Sequence, residues 1–182
     1  MDMNDSTSRY KPFPIALHWL TLLLLIAVYA CIELRVFYPK GTEMRDGLKN
    51  WHYMLGVTVF LLTSLRLAMR WMNPPPAQEA SIQPWQRFFS SVTHVALYVL
   101  LLAMPLLGWA LLSGEGKAVI WFGLELPALI APDKVLAESL KELHATVGTA
   151  GYFLIGFHAL AGLYHHYIQR DNTLLRMLPA RG

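Results

Sequence analysis

Four stretches of the chain are apolar for about twenty residues each, and polar or proline-rich segments separate them. The first covers about 14–34 and contains LTLLLLIAVYACIEL. The second covers about 51–71, with YMLGVTVFLLTSLRLAM, and the third about 88–112, with VALYVLLLAMPLLGWALL. The fourth covers about 143–168, with VGTAGYFLIGFHALAGLYHHY. About 20 helical residues cross the ~30 Å hydrocarbon core of a bilayer. The pattern predicts four transmembrane helices, with both termini on one side of the membrane. The fold class expected is all-α, an integral membrane four-helix bundle, with residues 1–182 forming one domain.

Smaller features refine this picture. Pro105 removes a backbone donor inside the third segment and is expected to kink it. Asn73-Pro-Pro-Pro-Ala-Gln reads as a stiff connector. Before the fourth segment, Val135, Leu136, Leu140 and Leu143 follow helical spacing, so VLAESLKEL reads as an interfacial helix. There is no internal repeat of the kind that marks many transporters.

Composition agrees with a membrane protein. Hydrophobic residues make up 55% and charged residues only 15%, against about 25% charged in an ordinary globular domain. The mean hydropathy is +0.38. The net charge of +3 is small and its cations are scattered, which argues against nucleic acid as a partner. The lone Cys31 has no internal disulfide partner. The polar stretch Met1 to Lys11 precedes an apolar run too long for a signal peptide and lacking an A-x-A-like site, so the first helix is expected to be retained. Counting Lys and Arg by loop gives eight on the side of the termini and seven on the other. That weak bias predicts cytoplasmic termini.

Alternating helices fix the depth of each histidine. His52 and His144 fall near the outer face, whereas His18, His94 and His158 fall near the inner one; His165 and His166 lie at the inner end of the fourth helix. His144 and His158 are fourteen residues apart, 3.9 turns, so they share a face and lie roughly 21 Å apart along the axis. Ionisable groups inside a membrane are costly and usually functional. One such histidine could simply hydrogen-bond across helices; five in two layers point to ligation.

Zinc needs three or four protein ligands around one ion. Two outer histidines are too few for zinc but suit a six-coordinate haem, whose porphyrin supplies the other four ligands. No C-x-x-C-H is present, so such a haem is not covalently attached. Gly148, Gly151 and Gly162 share the histidine stripe and leave room for a flat ring, although tight helix packing would use them equally. Arg66 follows His52 by fourteen and reaches the inner layer, where it could pair with haem propionates or snorkel to the interface. The inner partner of His158 stays open between His18 and His94.

The chain resembles the bacterial cytochrome b561 family over nearly its whole length. The likeness is carried by His18-Trp19, by the segment from Phe37-Tyr38-Pro39 to His52, and by Gly151-Tyr-Phe-Leu-Ile-Gly-Phe-His158. Its most specific part is His165-His166-Tyr167 with Asp171-Asn-Thr-Leu-Leu-Arg-Met177. The resemblance implies a four-helix bundle with two non-covalent b-type haems. It implies His52 and His144 as axial ligands of the outer haem, and His18 and His158 of the inner one. His94 and His165, with Arg66, then become neighbours of a propionate or a quinone.

The activity implied is that of a superoxide oxidase of the bacterial inner membrane: periplasmic superoxide is oxidised and ubiquinone reduced. Arg35, Lys40, Arg45 and Lys49 crowd the outer loop before His52, where a cationic entrance would steer a small anion. Glu43 and Asp46 partly cancel that charge and allow an ordinary solvated loop instead. Two other functions share the histidine pattern or the helices. One is a cytochrome b anchor passing electrons between a dehydrogenase subunit and quinone. The other is a non-redox four-helix scaffold or transporter, which would be colourless.

Overall fold

A computed structural model describes residues 10–72 and 82–178. Four long helices dominate it: α1 (Pro12–Leu34), α2 (Glu43–Met72), α3 (Pro84–Gly114) and α4 (Lys134–Tyr164). All four are long and apolar enough to cross a membrane. Helix packing is sequential, α1 on α2, α2 on α3, α3 on α4. The Asn73–Gln78 connector lies outside the described residues.

Helix ends follow local chemistry. Pro12 and Pro84 occupy first-turn positions, where the missing N–H costs nothing. Gln83 and Gln86 form a reciprocal capping box at the start of α3. The Asp133 carboxylate accepts from the backbone N–H groups of Val135 and Leu136, both at 3.0 Å, and starts α4. The segment expected as an interfacial helix leading into the fourth span is helical and continuous with it, forming the opening of α4. Helix α3 continues through Pro105 to Gly114.

Burial is inverted relative to a water-soluble bundle. Phe153 is 77% exposed and Leu160 66%, whereas Thr21 and Thr63 are among the most buried side chains. Lipid solvates the apolar outside, so small and weakly polar residues take the helix contacts. Several hydroxyls satisfy themselves on the carbonyl four residues back, including Thr21 on Leu17, Ser64 on Phe60 and Thr58 on Met54.

One element was not expected. Strands β1 (Val119–Trp121) and β2 (Leu124–Leu126) form an antiparallel hairpin at the end of the bundle away from the termini, termed the outer end; the opposite end is termed inner. Its turn places Phe122 and Gly123 at φ 47° and 87°, the arrangement of a type I′ turn. Val119 is buried against Val57 and Leu112, and the Trp121 indole N–H donates to the Thr58 hydroxyl at 3.1 Å. Phe-Gly lacks the Asn-Gly signature that announces such a turn, so the sequence pattern gives no sign of the hairpin.

Candidate functional site

The histidines meet in two layers. In the outer layer His52 of α2 faces His144 of α4, ring centroids 6.1 Å apart and planes at 74°. In the inner layer His18 of α1 faces His158 of α4 at 6.2 Å and 73°. His94 of α3 approaches the same His158 at 5.3 Å. A metal held between two imidazoles lies about 2 Å from each nitrogen, which puts the ring centroids about 6 Å apart. The His52–His144 and His18–His158 separations meet that requirement; the His94–His158 separation is too short for it.

The free nitrogens agree with ligation. The Val28 carbonyl is 3.0 Å from His52 Nδ1. A carbonyl only accepts, so Nδ1 carries the proton and Nε2 is left bare. The same logic applies to His94, whose Nδ1 donates to the Ser90 carbonyl at 2.7 Å. His18 Nδ1 is buried without a hydrogen-bond partner, whereas the His144 ring lies against the Met104 backbone carbonyl. Gly108 of α3 lies beside His144, where a Cβ would stand 3.2 Å from its ring. Among the described residues no three His, Cys, Asp or Glu side chains gather around one point, so a zinc site with three or four protein ligands does not form. The paired imidazoles fit a metal that brings its other ligands with it.

The remaining expected residues are spread over both ends. Arg66 is among the charges closest to His18 and His158. At the outer loop Arg45 donates to the Arg35 and Tyr38 carbonyls, 2.8 Å each, and so holds the loop together. Lys49 pairs with Asp46 at 2.7 Å. Lys40 is exposed at the loop tip. Arg35 stands near His52 and keeps its Nε buried without a partner. Of the four outer cations, Arg35 is the one whose charge bears on His52.

The inner end holds a pair that sequence reading half saw. After α4 the chain makes a π-helical turn over His165–Gln169, and Arg170 adopts φ 56°. That reversal brings the Asp171 carboxylate to 2.5 Å from His165 Nδ1. Asp171 also accepts from the Thr173 amide at 2.9 Å. Burial pushes the Asp171 carboxyl up, but the hydrogen bonds from His165 and Thr173 outweigh it and hold the group below its ordinary 3.8. The segment then crosses to α1, where the Trp19 indole N–H donates to the Met177 carbonyl at 2.7 Å. His165 is a candidate site residue from sequence; Asp171 enters there only as part of the family motif, because only the left-handed turn at Arg170 makes the two neighbours.

Three other residues, Tyr29, Tyr152 and Glu33, have no site role in the sequence reading. Tyr29 of α1 donates to the Gly148 carbonyl of α4 at 2.9 Å and stacks on Tyr152 at 4.2 Å. Tyr152 in turn donates to Glu33 at 2.8 Å. Gly151, expected to leave room for a flat ring, is filled instead by the Tyr29 hydroxyl and Leu100. Tyrosines on two different helices carry no spacing signal that would have announced the contact.

Four membrane-crossing helices with facing imidazoles at two depths define a membrane electron-transfer protein of the cytochrome b class. Residues 9–180 match the prokaryotic cytochrome b561 family, and the chain belongs to it. It is 39% identical over 174 residues to cytochrome b561 homolog 1 of Escherichia coli (strain K12), covering 96% of this chain and 99% of that one. It is 36% identical over 173 residues to the probable superoxide oxidase CybB of Yersinia pestis, covering 95% and 97%. Cytochrome b562 of Cereibacter sphaeroides is 28% identical over 176 residues, covering 94% and 96%. The protein is a multi-pass bacterial membrane protein of an oxidoreductase-type, electron-transferring family that binds b-type haem.

Proposed function

We propose that the chain carries electrons across the membrane through two b haems, from superoxide outside to ubiquinone at the inner side. His52 and His144 hold the outer haem; His18 and His158 hold the inner one. The observation that carries this reading is the pair of facing imidazoles, 6.1 Å and 6.2 Å apart, at two depths along the same stripe of α4. The name of the Yersinia relative supports the donor. The haems, when bound, supply the one-electron chemistry.

The side chains do the rest. Arg35 beside His52 attracts the anionic donor towards the outer layer. Two superoxide ions lose one electron each and leave as dioxygen; one ubiquinone gains both electrons and takes two protons. His165, oriented through Nδ1 by Asp171, presents Nε2 as a proton-exchanging group for the quinone oxygen. Arg66 near the inner layer supplies a guanidinium for haem propionates. His94, held by Ser90, is a neighbour of that layer and not its ligand.

The decisive experiment is stopped-flow reduction of the purified haem-loaded protein by superoxide at increasing salt. The expected result is b-type bands that appear rapidly and more slowly as salt screens the outer cations. Slow, salt-indifferent reduction of a protein that does carry the bands would refute superoxide as donor and favour a dehydrogenase subunit. A colourless protein would refute the haem reading altogether.

A further inference from the structure

The fourteen-residue step from His144 to His158 has its midpoint at Gly151, seven residues from each. That is about 10 Å along the axis from either histidine layer. Into this midpoint α1 inserts Tyr29: a Cβ on Gly151 would collide with the Tyr29 hydroxyl, and Leu100 of α3 closes the other side. The hydroxyl donates to the Gly148 carbonyl at 2.9 Å, one turn nearer His144.

The contact is held from both directions. Tyr29 stacks on Tyr152 with centroids 4.2 Å apart, and Tyr152 reaches back to Glu33, one turn beyond Tyr29 on α1. Two residues of α1 thus interlock with three of α4. Sequential packing joins α1 to α2, α2 to α3 and α3 to α4, so these side chains bridge the remaining seam of the bundle.

We propose that Tyr29 is the positioning residue that connects the two haem sites, a bridge at mid-membrane through which the electron couples from one layer to the other. The inference rests on the two-haem reading above. One electron leaves the outer site and one arrives at the inner site. Tyr29 itself is neither oxidised nor deprotonated; its ring and its hydrogen bond to Gly148 fill the interval with connected atoms instead of a void.

The test uses the haem-loaded protein in detergent, with haem content, both midpoint potentials and the rate of electron equilibration between haems after a rapid one-electron pulse. Wild-type protein must hold two haems; one haem per chain overturns the two-haem reading and this bridge with it. In Y29L the expected result is two retained haems, unchanged potentials and equilibration slowed about tenfold, equivalent to about 1.4 kcal/mol on the barrier. Y29F, which keeps the ring but loses the hydrogen bond, is expected to slow it less. Two haems with wild-type equilibration in Y29L, or a slowing explained by shifted potentials, would overturn the bridge while leaving the two-haem reading intact. If Y29L fails to hold both haems, Y29F decides alone: unchanged equilibration there overturns the proposal.

Discussion

At the scale of single residues, the chemistry lies in which nitrogen or oxygen is left without a partner. His52 and His94 each give Nδ1–H to a backbone carbonyl, so both present Nε2, yet only His52 has a facing ring at the separation a shared metal needs. His165 differs because its Nδ1 faces a carboxylate. The Asp171 carboxyl sits below its ordinary 3.8 in the folded protein. A depressed folded value means the unfolded chain binds the proton more readily. The stabilisation from Asp171 is therefore complete above pH 3.8 and is lost as pH falls through the lower folded value. The melting temperature of wild-type protein should exceed that of D171N at neutral pH, and the difference should shrink only on acidification below 3.8. A difference that persists unchanged as the pH falls well below 3.8 would show that the carboxylate charge contributes nothing.

At the scale of elements, α4 carries the most. It begins at Asp133, presents His144 and His158 on one stripe, admits Tyr29 between them at Gly151, and ends in the π-helical turn that sets up His165. Its register therefore governs both histidine layers, and its start is fixed by the Asp133 cap with two 3.0 Å bonds. Replacing Asp133 by Ala should cost about 1 kcal/mol, the usual worth of such a cap. Denaturation of the detergent-solubilised protein by chemical titration measures it. The loss should appear in stability and not in the haem spectrum, because the first turn of α4 lies well outside the histidine layers. The hairpin β1–β2 works at the same scale. Val119 and Trp121 cover the outer ends of α2 and α3, and without them Val57 and Leu112 would lose their outer packing.

At the scale of the whole molecule, four helices in alternating direction leave both termini on one side. The slight excess of Lys and Arg on that side predicts cytoplasmic termini, and fusions test it. A fluorescent protein that matures only in the cytoplasm should be bright when fused to either end, and a phosphatase that works only outside should be inactive there. Bright phosphatase fusions at both ends would reverse the orientation and put the His18–His158 layer outside. How far the sequence carries can be traced through particular residues. Helix number, and the depths of His18, His52, His94, His144 and His158, follow from apolar length and a fixed rise per residue, which are properties of local chain geometry. The lateral neighbours of those residues are not. Whether His18 or His94 faces His158 at 6.2 Å or 5.3 Å depends on how α1, α3 and α4 pack. The pairing of His165 with Asp171 depends on one left-handed residue, and the filling of Gly151 on a tyrosine 122 positions earlier in the chain. Apolar length, helical rise and family motifs were enough for a four-span membrane protein of the cytochrome b561 family with histidines at two depths, and the family likeness implied their pairing. The distances between facing imidazoles, and the tyrosine that stands between the layers, came from the packed helices, because contacts between distant segments leave no periodic trace in the chain.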